Sequence, residues 1–233
     1  VTAPSLRPAA PVFAFTAGFV DTVGYVGLFG LFTAHVTGNL VVIGASIAQP
    51  NAGLIAKLLA LPVFVVVVAI TSLFIRRCAR VDHSPARRLL AAQAILLAAF
   101  MGLALVVAPQ RSADAPLAVI AGLTGVAAMA IQNAASRTTF VALAPTTVMT
   151  GNVTQLVLDL TDLLAGGLGR AEVHARLAKM GPPLLAFAAG AIVGGLAFSR
   201  IGFWCLVAPI VLIAAMAVRG ASLVLDLQTG AAK

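Results

Sequence analysis

Apolar residues run in long blocks along this chain, and the lengths of those blocks carry the structural signal. Six of them, at roughly 11–32, 54–75, 89–108, 116–136, 181–198 and 201–218, are long enough to cross a membrane. Crossing ~30 Å of hydrocarbon takes about 20 helical residues. Blocks of this kind predict spanning helices, because a helix satisfies its backbone polar groups within itself. Two further apolar stretches fall short. Residues 36–50 would form only ~22 Å of helix, and 147–166 stays apolar for barely half its length before Asp159 and Asp162.

The two misfits share a motif. His-Val-Thr-Gly-Asn occupies 35–39 and Val-Met-Thr-Gly-Asn occupies 148–152, an offset of 113 residues. Each copy follows a helix rich in Gly and Ala that carries polar residues, Asp21 and Thr22 in one and Gln132, Asn133, Ser136 and Arg137 in the other. Each precedes a linker, a spanning helix with Pro62 or Pro183 near its start and Arg76 or Arg200 after its end, and a closing apolar helix. An internal repeat is therefore expected, about 11–108 and 116–218 within a single membrane domain covering 1–233.

Charge decides how the repeats sit. If all eight apolar segments crossed, the 15 basic residues would divide almost evenly between the two sides, against the excess of Lys and Arg expected on the cytoplasmic side. If the two Thr-Gly-Asn segments enter and return, all but Lys57, Arg111 and Arg200 become cytoplasmic. The expectation is an all-α polytopic protein with both termini inside and three spans per half. With an odd number of spans in each half, the second is inverted relative to the first. Inverted repeats with broken helices are common in secondary transporters. Residues 167–180 read as a short amphipathic stretch on the cytoplasmic face.

With 61% hydrophobic and 9% charged residues and a mean hydropathy of +1.07, the chain departs from the roughly 25% charge of soluble domains. The net charge of +8 lies in short clusters between apolar runs, which is a topology signal and not a nucleic-acid groove. Cys78 and Cys205 have no disulfide or metal spacing. No cleavable signal peptide is visible, and a start at Val1 in place of Met suggests a trimmed chain.

The stretches AGFVDTVGY at 17–25, HVTGN at 35–39, MAIQNAASR at 129–137 and VMTGN at 148–152 together resemble the YoaK-like family of small bacterial multi-spanning proteins. The resemblance covers roughly 12–218 and implies a bacterial inner-membrane location without naming a substrate. A looser likeness, of design only, exists to permeases of the uracil and sulfate type.

A helix that begins inside hydrocarbon leaves its first N–H groups without partners. Thr37 and Thr150 suit N-capping, Gly38 and Gly151 allow close approach, and Asn39 and Asn152 add donors and acceptors. Two such N-termini facing each other would favour an anionic or polar solute. The competing reading makes Thr-Gly-Asn a tight turn that serves folding. Asp21 sits near mid-span, where an acid is costly, and is the candidate for coupling. An ion pair with Arg137, or bonds to nearby Thr or Asn, would make it structural.

Tyr25 shares a small-residue face with Ala14, Ala17, Gly18, Asp21 and Gly24. That face fits a pathway or simple packing. Gln132, Asn133 and Ser136 form the matching polar patch. His35 could exchange protons or be merely tolerated. Asp159 and Asp162 read as a solvated helix end, and Gly190 and Gly194 as a packing seam within the chain or in a homodimer.

The function expected is transport of a small solute through a midplane site, in a lipid bilayer, with no metal, cofactor or nucleic acid. A passive channel and a non-transporting assembly protein are the alternatives. Catalysis finds little support, since no triad at a common depth, metal spacing or phosphate loop can be assembled.

Overall fold

The computed structural model describes residues 9–49, 52–81, 84–108, 112–141, 143, 146, 147, 149–166 and 169–230. Arg7, Arg111, Val148, Lys233 and the first residues of the expected 167–180 stretch lie outside them. All regular structure among the described residues is helical: α1 Ala9–Gly27, α2 Gly38–Ala48, α3 Leu54–Arg80, α4 Ala86–Val107, α5 Pro116–Arg137, α6 Met149–Leu164, α7 Arg170–Ile201 and α8 Val207–Gly230, with a 3-10 turn, Gly202–Leu206, before α8.

Five stretches are long and apolar enough to cross a membrane: α1, α3, α4, α5 and a 50-residue stretch from Arg170 to Arg219. The last contains the two spans expected at 181–198 and 201–218. Gly202, at φ +56°, breaks it, and α8 packs back on α4 and α1. The amphipathic stretch expected up to residue 180 is not a separate element. It forms the first turns of the 32-residue α7, continuous through Pro182 and Pro183. At 11 and 16 residues, α2 and α6 reach about 16 and 24 Å, too short to cross.

Punctuation in the sequence sets the helix ends. α1 stops in a double left-handed turn, Phe29 at φ +54° and Gly30 at φ +83°, with the Gly30 N–H bonded to the Tyr25 carbonyl at 2.8 Å. This is the Schellman closure, which gives terminal carbonyls a partner. Gly53, at φ +74°, precedes α3, and Pro116 opens α5 where its missing N–H costs nothing.

Contacts between helices fix their directions. The Gln132 amide donates to the Phe13 carbonyl at 2.9 Å, while Thr33 lies between Gly24 of α1 and Gly125 of α5. α1 and α5 therefore run antiparallel. Gln93 meets Gln132 and Phe100 meets Gly125, so α4 is antiparallel to α5 and parallel to α1. α7 follows α1 in parallel, Gly190 against Phe15 and Gly194 against Phe19. Gly30 and Gly53, on either side of α2, both lie beside Lys57, so the chain leaves and rejoins the bundle at the same end. Around α6, the close of α5 and the opening of α7 likewise share the end where α1 begins.

α1 and α5 are the most buried spans, and α3 is the most peripheral. Val65, Val66, Ile70 and Leu73 of α3 are exposed, as suits lipid-facing positions. The α1–α7 contact is backbone-close. A Cβ on Gly190 would collide with the Phe15 carbonyl, and one on Gly18 with the Phe187 carbonyl. The small-residue seam of α7 is thus used within the chain, and the small face of α1 is divided, Gly18 against α7 and Gly24 against Thr33.

Gly190→Val should remove the folded species or destabilise it by about 1–3 kcal/mol or more, the range for overpacking. Gly102→Ala, where nothing lies within 4 Å, should leave stability unchanged. Thermal unfolding in detergent followed by size-exclusion chromatography checks both.

Candidate functional site

Asp21 emerges as the anchor of the loop that leads into α2. Its Oδ1 accepts the backbone N–H groups of Thr33 at 2.8 Å, Ala34 at 2.7 Å and His35 at 3.3 Å. The Thr33 hydroxyl lies 3.4 Å from the same oxygen and 3.4 Å from the Val20 carbonyl. Three consecutive N–H groups converging on one oxygen make a nest that stabilises negative charge. Bonds to a charged partner contribute roughly 1.5–3 kcal/mol each, offsetting the cost of an acid in this setting. Oδ2 has no hydrogen-bond partner among the described residues.

The next turn is fixed by Asn39. Its Oδ1 accepts the Phe32 N–H at 2.9 Å and its Nδ2 donates to the Phe32 carbonyl at 2.8 Å. The Phe32 ring lies between Tyr25 and His35, with centroid distances of 4.7 and 5.8 Å. Gly38 is required against that ring, because a Cβ would come within 2.9 Å of it. The capping role expected of Thr37 is not met: it is exposed, already helical at φ −66°, ψ −22°, and makes no side-chain cap bond. The N–H groups of Gly38, Asn39 and Leu40 bond instead to the carbonyls three residues back. Asp21 satisfies the donors of the loop before the helix, and local turns, not a Thr hydroxyl, satisfy those at its start.

In the second half a side-chain contact also links the long helix to the loop before the short one. Asn133 Oδ1 accepts the Thr147 hydroxyl at 2.6 Å, so a polar side chain from the preceding long helix again holds the loop before a short one. Asn133 lies one residue short of the 113-residue offset from Asp21. Ser136 bonds its own helix at the Asn133 carbonyl. Thr150 and Gly151 are exposed, Asn152 is buried, and the Asn152 amide lies 3.8 Å from the Met149 sulfur. A Cβ at Gly151 would meet nothing within 4 Å, unlike one at Gly38.

The two Thr-Gly-Asn segments do not pack on each other among the described residues. α2 packs on α3 and α6 packs on α7, with no comparable contact between α2 and α6. The polar groups that do meet between the halves lie on α1, α4 and α5. The Gln93 amide donates to Gln132 Oε1 at 2.7 Å, and Gln132 passes the chain on to the Phe13 carbonyl. Gln93 is wholly buried and was missed in the sequence because it lies outside the repeated motifs. As the one amide in the 89–108 run, it carried a signal. Thr16 Oγ1 and Gln93 Oε1 are buried with no partner, as is Thr146 Oγ1 in the loop before α6. Buried polar atoms are nearly always satisfied, so these three stand out among the described residues.

The other candidate residues divide between the readings open to them. Arg137 is exposed at the end of α5 and makes no ion pair with Asp21. Asp159 is buried, not solvated, bonded to Arg176 at 2.7 Å and Gln155 at 2.8 Å, because α6 packs on α7. Asp162 and His35 are exposed, and Tyr25 is 43% exposed. No group of three or more His, Cys, Asp or Glu able to hold a metal occurs among the described residues.

Asp21→Ala should destabilise the chain by about 2–5 kcal/mol, because it leaves buried N–H groups unmet. Asp21→Asn keeps an acceptor and should cost at least about 1 kcal/mol less. Thermal unfolding of both variants checks the order.

The chain matches a family model described as protein of unknown function, DUF1275, over residues 9–219. It is also similar to the UPF0700 transmembrane protein YoaK of Bacillus subtilis (strain 168), 30% identical over 151 residues. The match covers 64% of this chain and 64% of that relative, a little under two-thirds of its length. No solved structure matches.

Proposed function

We propose, for a chain that belongs to the DUF1275 family, that it moves a small polar solute across the membrane through the seam between α1, α4 and α5. The reading rests on one observation above the others: buried, partly unpartnered polar atoms lie where the two halves of the chain meet. Thr16 Oγ1 on α1 and Gln93 Oε1 on α4 are buried without a partner, beside the Gln93–Gln132 bond, and the Asp21 carboxylate lies further along α1. An intramembrane acid facing protein is a common feature of transport pathways.

In this reading the halves are inverted repeats, each with a re-entrant short helix. The antiparallel course of α1 and α5 supports it, since eight full crossings would make those helices parallel. So does the exchange of contacts, α1 with α7 answering α5 with α3, and α2 with α3 answering α6 with α7. Arg76, Arg77, Arg80, Arg87, Arg88, Arg137, Arg170, Arg176 and Lys179 gather at the end where α1 begins, with Lys57 and Arg200 at the other. That end is cytoplasmic by the positive-inside rule, in the inner membrane of a bacterium. Asp21 would carry a proton or bind a solute cation through Oδ2 while Oδ1 keeps the loop in place.

Preference for an anion loses its basis, because the N–H groups before and at the start of α2 are occupied. A small neutral or amine-bearing polar solute fits the acceptors better. A second reading, a non-transporting assembly protein, draws on the engagement of Asp21 Oδ1 and the Asn39 amide in loop architecture.

Proteoliposomes containing a pH dye, challenged with small amides, amino acids and amines, separate the two. Saturable uptake of one class is expected, falling at least about tenfold in Asp21→Asn and Gln132→Leu, the scale of one lost buried interaction. Uptake no greater than in protein-free vesicles for every class contradicts transport of those solutes.

A further inference from the structure

The last turns of α3 contain a feature that the transport reading does not use. A cavity of about 450 Å³ is lined by Leu73, Phe74, Arg76, Arg77 and Arg80. Leu73, Arg76, Arg77 and Arg80 fall at helix spacings of three, four and seven and so share one face. All three guanidinium groups are exposed, and none makes a hydrogen bond or ion pair among the described residues. Below them the same side of α3 continues as an exposed apolar stripe through Val66, Ile70 and Leu73.

We infer that this face binds an anionic phospholipid, its phosphate held by Arg76, Arg77 and Arg80 and an acyl chain laid along Leu73, Ile70 and Val66. Arginine matches a phosphate with paired N–H donors. Basic clusters at the end of a membrane helix attract anionic lipid headgroups. The apolar stripe distinguishes a lipid from a free anion, because soluble phosphate would gain nothing from it. Charge complementarity selects a net-anionic lipid over a zwitterionic one. α3 is the most peripheral span, so a lipid can reach this face directly from the bilayer.

The test uses the purified full chain in neutral detergent, with phosphatidylglycerol, phosphatidylcholine or inorganic phosphate added. Bound lipid is counted by native mass spectrometry and melting temperature is followed in parallel. Phosphatidylglycerol should be retained and should raise the melting temperature, since a ligand that binds only the folded state stabilises it. The triple variant Arg76→Gln, Arg77→Gln, Arg80→Gln should lose both effects, with binding weakened on the order of tenfold or more. The single variant Arg77→Gln should show an intermediate loss, and Arg200→Gln, at the opposite end, should behave as the parent. Undiminished phosphatidylglycerol binding by the triple variant, or equal stabilisation by phosphatidylcholine or inorganic phosphate, would overturn the inference.

Discussion

A chain that stops being helical inside an apolar bundle exposes N–H groups that water cannot reach, and each left unmet costs several kcal/mol. At the entry to α2 this constraint is answered by one carboxylate oxygen, Asp21 Oδ1, which takes the N–H groups of three successive residues. The position of α2, the clamp of Asn39 on Phe32 and the fit of Gly38 against the Phe32 ring follow from that anchored loop. In the second half Asn133 ties the loop before α6 to α5 through the Thr147 hydroxyl. Before its short helix, only the first half meets backbone donors with a side-chain carboxylate among the described residues; the bond in the second half joins two side chains.

Close packing makes the rest of the arrangement possible. Between membrane helices there is little hydrophobic drive, so association depends on backbone approach and polar contacts. Gly18, Gly190 and Gly194 bring α1 and α7 together, while Gly125 and Gly24 leave space for Thr33. The polar contacts Gln93 to Gln132 to Phe13 lie across the same α1–α4–α5 junction. Glycine packing and polar contacts therefore converge on one set of residues at the centre of the molecule.

Much of the fold was legible in the sequence because block length reports bilayer thickness. The helical class, the short α2 and α6 and the placement of most spans all follow from it. The role of Asp21 was half legible: an acid at mid-span had to be held by something, but a loop 12 residues on leaves no periodic trace in the chain. Thr37 looked like a cap by type, yet the first N–H groups of α2 bond to carbonyls three residues back. Gln93 was passed over because it belongs to no repeat, and Asp159 because its partner Arg176 lies across a helix contact that no spacing rule connects. The family resemblance supported the membrane class and was silent about which polar residues meet.

The central claim is that the chain leaves and re-enters the bundle at the same end around α2, so that α1 and α5 meet head to tail. Its most direct test is side-specific labelling of single cysteines, placed at Phe29, Ala52, Ser84 and Thr138 in a chain lacking Cys78 and Cys205, with an impermeant thiol reagent on sealed vesicles. Phe29 and Ala52 should react from one side, and Ser84 and Thr138 from the other. Labelling of Phe29 and Ala52 from opposite sides would contradict the account, since α2 would then cross the membrane.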